Sequence, residues 1–377
     1  MDAIKNYANK MKEIQCNLLE FFEEGDSGKM PFKNLQKYLN DIKIKNQKHE
    51  IRTMLHIISK ISSNHHRSND FISRIEQLLK SFSKEMKMFT KSEIFNIFKG
   101  NKLILLFLFK EKIITPDSWL CPILSSDKYN DRGYTQYFSI EFDSFKDKKP
   151  SKKDLKVFEQ KRKIGENDTE LCEMIRKNQK TAEPINKEKF NSAVEKSHFE
   201  TNSFLLKKEP TYLEYSAFFG SSEFLDTDLI SSSSSLFLYA IHSNDSKTIQ
   251  ILNDQKIELN EKEKYLEAMK CHHRNLCSDY IKNNYDGGND IELINHCLKY
   301  YNFIDFELIL SHGKNKLLNL FSDPEKKDLQ SDLFRTFCKY DYTYFVELLL
   351  DNQNIDFNYK KILKINFFLN AIQTNFE

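Results

Sequence analysis

Ile4, Tyr7, Ala8, Met11, Ile14, Leu18, Leu19 and Phe22 recur at intervals of three and four residues, the spacing that lines side chains along one face of an α-helix. The polar group Glu23 to Asp26 ends that pattern. It returns in Ile51, Met54, Leu55, Ile58 and Ile61, and again in Phe71, Ile75, Leu78, Leu79 and Phe82. The short polar stretch 62–70 between the two predicts an antiparallel helical hairpin. Thr90 followed by Glu93 has the form of a capping box ahead of Ile94, Ile97 and Phe98. Gly100 then allows a turn into Leu103–Phe109, the longest apolar run in the chain. That run is far shorter than the ~20 residues a membrane span requires, so it reads as a buried helix stopped at Thr115 and Pro116. From Ser125 to Lys156 the pattern changes. Asp127, Asn130, Asp131 and Gly133 are turn formers, and Phe138, Ile140 and Phe142 alternate with polar residues as in a strand. A short hairpin or extended connector is expected there. The mixed charge run from Lys146 to Asp154, around Pro150, reads as a solvated linker and marks a domain boundary.

After residue 205 the chain resembles itself. Leu213, Ala217 and Gly220 place a core leucine, a small residue where helices touch and a glycine at a helix end. Thr211, after Pro210, suits the start of that helix. With Ala217 as the small-residue position, Ala240, Ala268, Cys297 and Cys338 occupy it in later copies, at intervals of 23, 28, 29 and 41. Each is followed by a second apolar helix: around Ile249 to Leu252, Leu276 to Ile281, Phe306 to Leu310 and Phe345 to Leu350. The last copy ends FVELLLDNQNIDFN at Asn358, similar to the ankyrin ending V-x-x-L-L-x-x-G-A-D-V-N.

The stretch 163–358 thus resembles the ankyrin superfamily, and more narrowly a divergent ankyrin-like group expanded in trichomonad protists. The segments that carry the narrower resemblance are KIGEND (163–168), FETNSFLLKKEPT (199–211), LYAIH (238–242) and KCHH (270–273). The resemblance implies protein–protein interaction without catalysis, and a helical N-terminal region ahead of the repeats. The chain departs from it in the short first interval, in lacking Thr-Pro-Leu-His elements and in a compressed segment at 180–199.

Composition sharpens this picture. Nine glycines and seven prolines in 377 residues are few for a sheet-rich or loop-rich fold. Lys and Arg (57) nearly balance Asp and Glu (55), leaving +2, so no field of one sign points to nucleic acid or to a membrane. Cys16, Cys121, Cys172, Cys271, Cys277, Cys297 and Cys338 form no compact disulfide framework, which suits reduced thiols and a cytoplasmic location, with the nucleus left open. The charged N-terminus shows no secretory signal pattern. Phosphate loops, nucleophile elbows, zinc-protease and kinase signatures and EF-hand loops are absent from the sequence.

One constellation invites a metal: Cys271, His272, His273 and Cys277, with His296 and Cys297 about twenty residues on. His273 and Cys277 would share a helix face, and such ligands suit zinc. The other reading makes Cys277 and Cys297 compact residues in helix seams and places His272 and His273 at a turn equivalent to Ser243 and Asn244. The missing C-x₂₋₄-C spacing favours the seam, and no metal ligand is assigned. His65 and His66 are expected at the surface, and Trp119 as a core anchor. Tyr300, Tyr301, Tyr340, Tyr342 and Tyr344 gather near turns where exposed tyrosine favours partner contact, although packing accounts for half of them. Residues 360–372 are strongly apolar and are expected to cap the last repeat on Leu348 to Leu350, with surplus apolar surface for a partner or a second copy.

The expected architecture is all-α: a helical region over 1–124, a connector over 125–156, and a degenerate ankyrin-like solenoid with a capping helix over 157–377. The expected function is a non-enzymatic scaffold for partner proteins, with no cofactor, no nucleic acid and no membrane. The alternative is a regulatory or metal-dependent activity in the N-terminal region.

Overall fold

The computed structural model describes residues 2–24, 30–67, 70–179, 187–225, 235–257, 259–274, 276, 291–312 and 327–351. Among them the regular structure is helical. In chain order come α1 (Asp2–Glu24), α2 (Phe32–Asp41), α3 (Lys48–Asn64), α4 (Phe71–Ser81), α5 (Lys91–Phe98), α6 (Lys102–Lys110) and α7 (Leu120–Ser125). Then follow α8 (Asp127–Asn130), α9 (Tyr134–Tyr137), α10 (Leu155–Ile164), α11 (Glu170–Arg176), α12 (Lys187–Phe190), α13 (Ser203–Lys208) and α14 (Tyr212–Phe218). The series ends with α15 (Ser235–Ser243), α16 (Ser246–Asp254), α17 (Glu261–Lys270), α18 (Ile291–Tyr300), α19 (Phe303–His312), α20 (Lys327–Lys339) and α21 (Thr343–Asp351). No helix of the described residues is long and apolar enough to cross a membrane.

The chain forms two compact units, and their limits differ from the three segments drawn from composition. One unit joins Met1–Lys60 to His272–Glu377; the other is Ile61–Cys271. The charge run at 146–154 lies inside the second unit. Periodicity states that a face is buried but not against what, which is why the union of two distant stretches escapes a linear reading.

In the first unit α1 packs along α19, α18 pairs with α19, α20 pairs with α21, and α18 lies against α20. The α1 stripe is the buried face: Ala8, Met11, Ile14, Leu18 and Phe22 have essentially no exposed surface. Burying such a side chain contributes roughly 1.5–3 kcal/mol, so this one face anchors the helix.

In the second unit α6 is buried all round, from Lys102 to Phe109, as its unbroken apolar run requires. Before α5 the Glu93 amide donates to Thr90 Oγ1 (3.2 Å) and the Thr90 amide donates to Glu93 Oε2 (2.7 Å), a complete capping box. Thr211 and Glu214 build the same box ahead of α14. α14 packs on α15, and α15 on both α16 and α17.

The expected hairpin at 134–142 is not formed. Residues 134–137 make the short helix α9, and a 3₁₀ turn spans Asp143–Lys148. The buried set there is Tyr134, Tyr137, Phe138, Phe142 and Phe145, whose spacing is that of a helix. The alternation of Phe138, Ile140 and Phe142 samples only part of that set, and Ile140 is only half-buried. Phe109 meets Phe138 and Phe142 edge-on, at 5.3 and 5.7 Å between ring centroids.

Beyond residue 205 a turn recurs after the first helix of each expected pair, while Glu209 and Lys256 are left-handed after other helices, with φ of 48 and 53°. Gly220, Asn244, His272, Tyr301 and Asp341 all have left-handed backbone, with φ of 65, 52, 60, 54 and 62°. Beyond three of these residues the next amide donates to the carbonyl five residues back: Ser221 to Ser216, Asn302 to Cys297 and Tyr342 to Phe337, each at 2.9 Å. That is the bond pattern of a Schellman helix end. The residues four before each turn are Ser216, Ala240, Ala268, Cys297 and Phe337, all buried. Measured from the turn, Ala217 and Cys338 therefore sit one place later than the sequence register put them. At Gly220 a Cβ would stand 2.9 Å from Asp245 Cβ, so glycine is required there by the approach of the next turn.

Candidate functional site

In the second unit Gly165, at φ 70°, turns the chain so closely past Leu103 that a Cβ would lie 2.5 Å from its Cδ1. This brings the segment 165–168 against 200–202. Thr201 donates twice to the Gly165 carbonyl, from its amide at 3.1 Å and from Oγ1 at 2.6 Å. Glu200 is buried and accepts from the Asn167 amide (3.2 Å) and the Asn202 amide (2.7 Å), one on each carboxylate oxygen. Asn202 Oδ1 in turn accepts from the first amides of α13, Phe204 at 2.9 Å and Leu205 at 3.3 Å. Arg176 reaches in from α11, pairing with Glu166 (2.7 Å) and donating to the Asn167 carbonyl (2.6 Å) and the Tyr215 hydroxyl (2.9 Å). Burial pushes the Glu166 carboxyl upward, offset in part by Arg176 and Arg67.

This junction forms the floor of a cavity of about 530 Å³, to which Asn167, Glu200 and Tyr215 contribute. One wall is the turn 130–133 and another is the segment 194–198. Lys102, fully buried at the start of α6, holds the walls together: its Nζ donates to the Arg132 carbonyl (2.9 Å) and the His198 carbonyl (2.7 Å). Burial lowers this ammonium to about 7, against the pull of Glu200. The Tyr137 and Tyr134 rings face it at 5.1 and 5.5 Å. Gly133 is left-handed, and a Cβ on it would fall 2.6 Å from His198 Cβ.

Glu200 in the cavity and Lys102 behind its walls are spent on positioning backbone. Both Glu200 oxygens hold amides, and the Lys102 ammonium holds two carbonyls. Ser197 donates to Asp168 Oδ1 at 2.6 Å, but Asp168 is a weak base. Burial raises it, yet the hydrogen bonds of Lys161 and Ser197 outweigh burial and hold it below the usual range. A serine activated by a base poised near neutrality is therefore not what this pair provides.

A second charged group lies between α15 and α17. His242 Nε2 and Glu267 Oε1 are 2.6 Å apart, and Lys270 Nζ is 2.5 Å from the same oxygen. Cys271 brings its sulfur close enough that His242, Glu267 and Cys271 are a conceivable metal triad, with ligand atoms within 4.8 Å of one another. Charge argues against it. The Lys270 ammonium stands where a dication would need to approach the carboxylate, and it already compensates Glu267. Burial opposes the Glu267 charge, but the His242 hydrogen bond and Lys270 hold the carboxyl at about 2. Burial keeps the His242 ring neutral despite Glu267, and pushes the Cys271 thiol well up. Phe204 stacks on His242 at 4.0 Å and lies under Lys270 at 4.3 Å.

In the first unit the left-handed turns are covered by the chain's own helices. Gln15 of α1, fully buried, contacts His272 Nδ1 (2.8 Å), donates to Asn302 Oδ1 (3.3 Å) and accepts from the Phe303 amide (2.7 Å). Arg52 and His56 of α3 meet Asp341 at 2.8 and 2.9 Å. Tyr301 stacks between His56 and Tyr342, each at 4.5 Å. Tyr7 stacks on Tyr344 at 4.3 Å and its hydroxyl meets Thr53 Oγ1 at 2.8 Å. Tyr301 and Tyr342 are thus core residues, while Tyr300, Tyr340 and Tyr344 are half-buried.

The residues singled out in the sequence fall as follows. Cys297 is buried on α18, Cys271 is buried just past the end of α17, and His272 occupies the turn equivalent to Asn244. Cys277 and the apolar segment 360–372 lie outside the described residues. His65 is buried, contrary to expectation, with Nδ1 2.7 Å from the Cys271 carbonyl; adjacent histidines in a polar stretch give no sign of this. Trp119 is half-buried and meets Phe95 edge-on at 5.8 Å. Sequence reasoning did not single out Gln15, Lys102, Asn167 or Glu200. The last two lie in the segments 163–168 and 199–211, which carry the family resemblance. Comparison of the chain with protein-family models, with curated proteins and with solved structures finds no match.

Proposed function

We propose that this chain is a non-enzymatic scaffold that binds partner proteins through a degenerate array of ankyrin-like helix-turn-helix repeats. The observation that carries the reading is the recurrence of a left-handed turn after the first helix of each expected pair, at Gly220, Asn244, His272, Tyr301 and Asp341, with intervals of 24, 28, 29 and 40 residues; Glu209 and Lys256 close other helices of the region with the same backbone. Turns repeated at comparable spacing, each with a buried residue four places earlier, are what a stack of helical hairpins needs.

The test is affinity capture with the full chain, followed by binding of the captured protein to the purified chain. A variant reversing exposed charges on α16 and α17, Lys247→Glu with Glu261→Lys and Glu263→Lys, should lose that binding while melting like the parent. Retained binding would remove this face from the proposal, and turnover of a small molecule by the purified chain would end the non-enzymatic reading.

A further inference from the structure

Four large apolar residues are substantially exposed among those described, and three of them lie on the single helix α10: Leu155 at 37%, Val157 at 51% and Ile164 at 58%, with Met88 at 42% elsewhere. Val157 and Ile164 are seven residues apart and share one face. Phe158 and Arg162, both buried, define the side that packs. Helical spacing borders the outward stripe with Lys156 and Lys163 on one flank, while Lys161 on the other is paired with Asp168 at 2.8 Å.

The preceding loop adds to the same sign. Between residues 143 and 164 seven lysines are exposed, against four exposed carboxylates, Asp143, Asp147, Asp154 and Glu159. Lys149 and Asp143 pair at 3.2 Å, and Asp154 accepts from Ser151 Oγ at 2.7 Å. Positive charge that the whole composition hides is therefore concentrated around one apolar stripe.

We propose that α10 and the loop before it dock on an anionic lipid surface, with Val157 and Ile164 entering the headgroup region and the lysines facing phosphate and carboxylate headgroups. Charge complementarity selects this occupant over an acidic protein. Specific recognition of protein carboxylates favours the planar, bidentate arginine fork, whereas lysine acts as a point charge suited to a diffuse anionic field. The single arginine of the segment, Arg162, is buried on Glu141 at 2.7 Å, so every exposed cation here is a lysine. An exposed helix with an apolar stripe bordered by lysine also suits an interface-lying element.

The experiment is cosedimentation of the full chain with phosphatidylcholine vesicles, with or without phosphatidylserine. Binding is expected only to vesicles with phosphatidylserine, and to weaken when salt rises from about 0.1 M to about 0.5 M. Removing one lysine charge should lower partitioning roughly fivefold, so Lys152→Gln with Lys153→Gln and Lys156→Gln should lower it about a hundredfold. Val157→Ser with Ile164→Ser should weaken binding at unchanged charge. All five positions are exposed, and melting curves confirm that the variants fold. No sedimentation, equal binding to neutral vesicles, or binding indifferent to both variants would overturn the proposal. So would binding to a polyglutamate peptide without binding to vesicles, which would replace the lipid by an acidic protein.

Discussion

Replacing Gln15 by leucine removes the one polar side chain of α1 that reads two successive turns, while keeping nearly the same volume. The Phe303 amide loses its 2.7 Å acceptor in a site with essentially no exposed surface. Stranding a buried donor costs about 1–3 kcal/mol, and each of the two lost side-chain bonds contributes about 1 kcal/mol net. The expected loss is about 3–5 kcal/mol, because little cavity forms to add to it. Urea unfolding of the full chain reads the loss, and hydrogen exchange localises it. Opening made easier by about 3 kcal/mol should speed exchange of the Phe303 amide by about two orders of magnitude. Asn17→Ala is the control, since its amide donates to the Glu13 carbonyl of its own helix and it makes none of the contacts to the turns. A Gln15→Leu chain that loses less than about 0.5 kcal/mol, with unchanged exchange at Phe303, would refute the view that α1 is bonded to these turns.

Three further outcomes are expected. Lys102, held at about 7 inside and near its ordinary value when unfolded, leaves the unfolded chain with more bound protons above pH 7; stability should rise from pH 7 to 8.5 in the parent, and Lys102→Met should lose this rise in denaturation midpoint. Gly133→Ala should cost about 1 kcal/mol for the left-handed backbone plus the clash with His198, whereas Gly100→Ala, where a Cβ meets nothing within 4 Å, should not destabilise in the same melting assay. Glu267→Gln should destabilise by about 3–5 kcal/mol by stranding Lys270. The acid-side loss of stability expected of the parent between its unfolded carboxylate range and about pH 2 should shrink in that variant.

The sequence disclosed what local periodicity controls. The α1 stripe, the all-round burial of α6 and the Thr90 capping box follow from spacing alone, because each depends on residues within a few turns of one another. The union of α1 with α18 and α19 does not, since Gln15 and Phe303 are far apart in sequence and only the fold brings them together. Phe138 to Phe142 misled because three residues cannot separate a period of two from one of 3.6 when aromatic neighbours on both sides are also buried. The cavity and the residues that brace it were illegible for another reason. Lys102, Asn167 and Glu200 belong to residue types that normally face water, and only their hydrogen bonds to backbone explain why burial is tolerated.

The central claim is that the helix pairs flanking the left-handed turns are the working surface of the chain. Hydrogen exchange measured by mass spectrometry on the full chain, alone and saturated with a captured partner protein, tests it most directly. The account predicts new protection on α14 to α17 or on α18 to α21, with the Lys102 and Glu200 cavity unchanged. Protection confined to that cavity, with the paired helices unaffected, would contradict it.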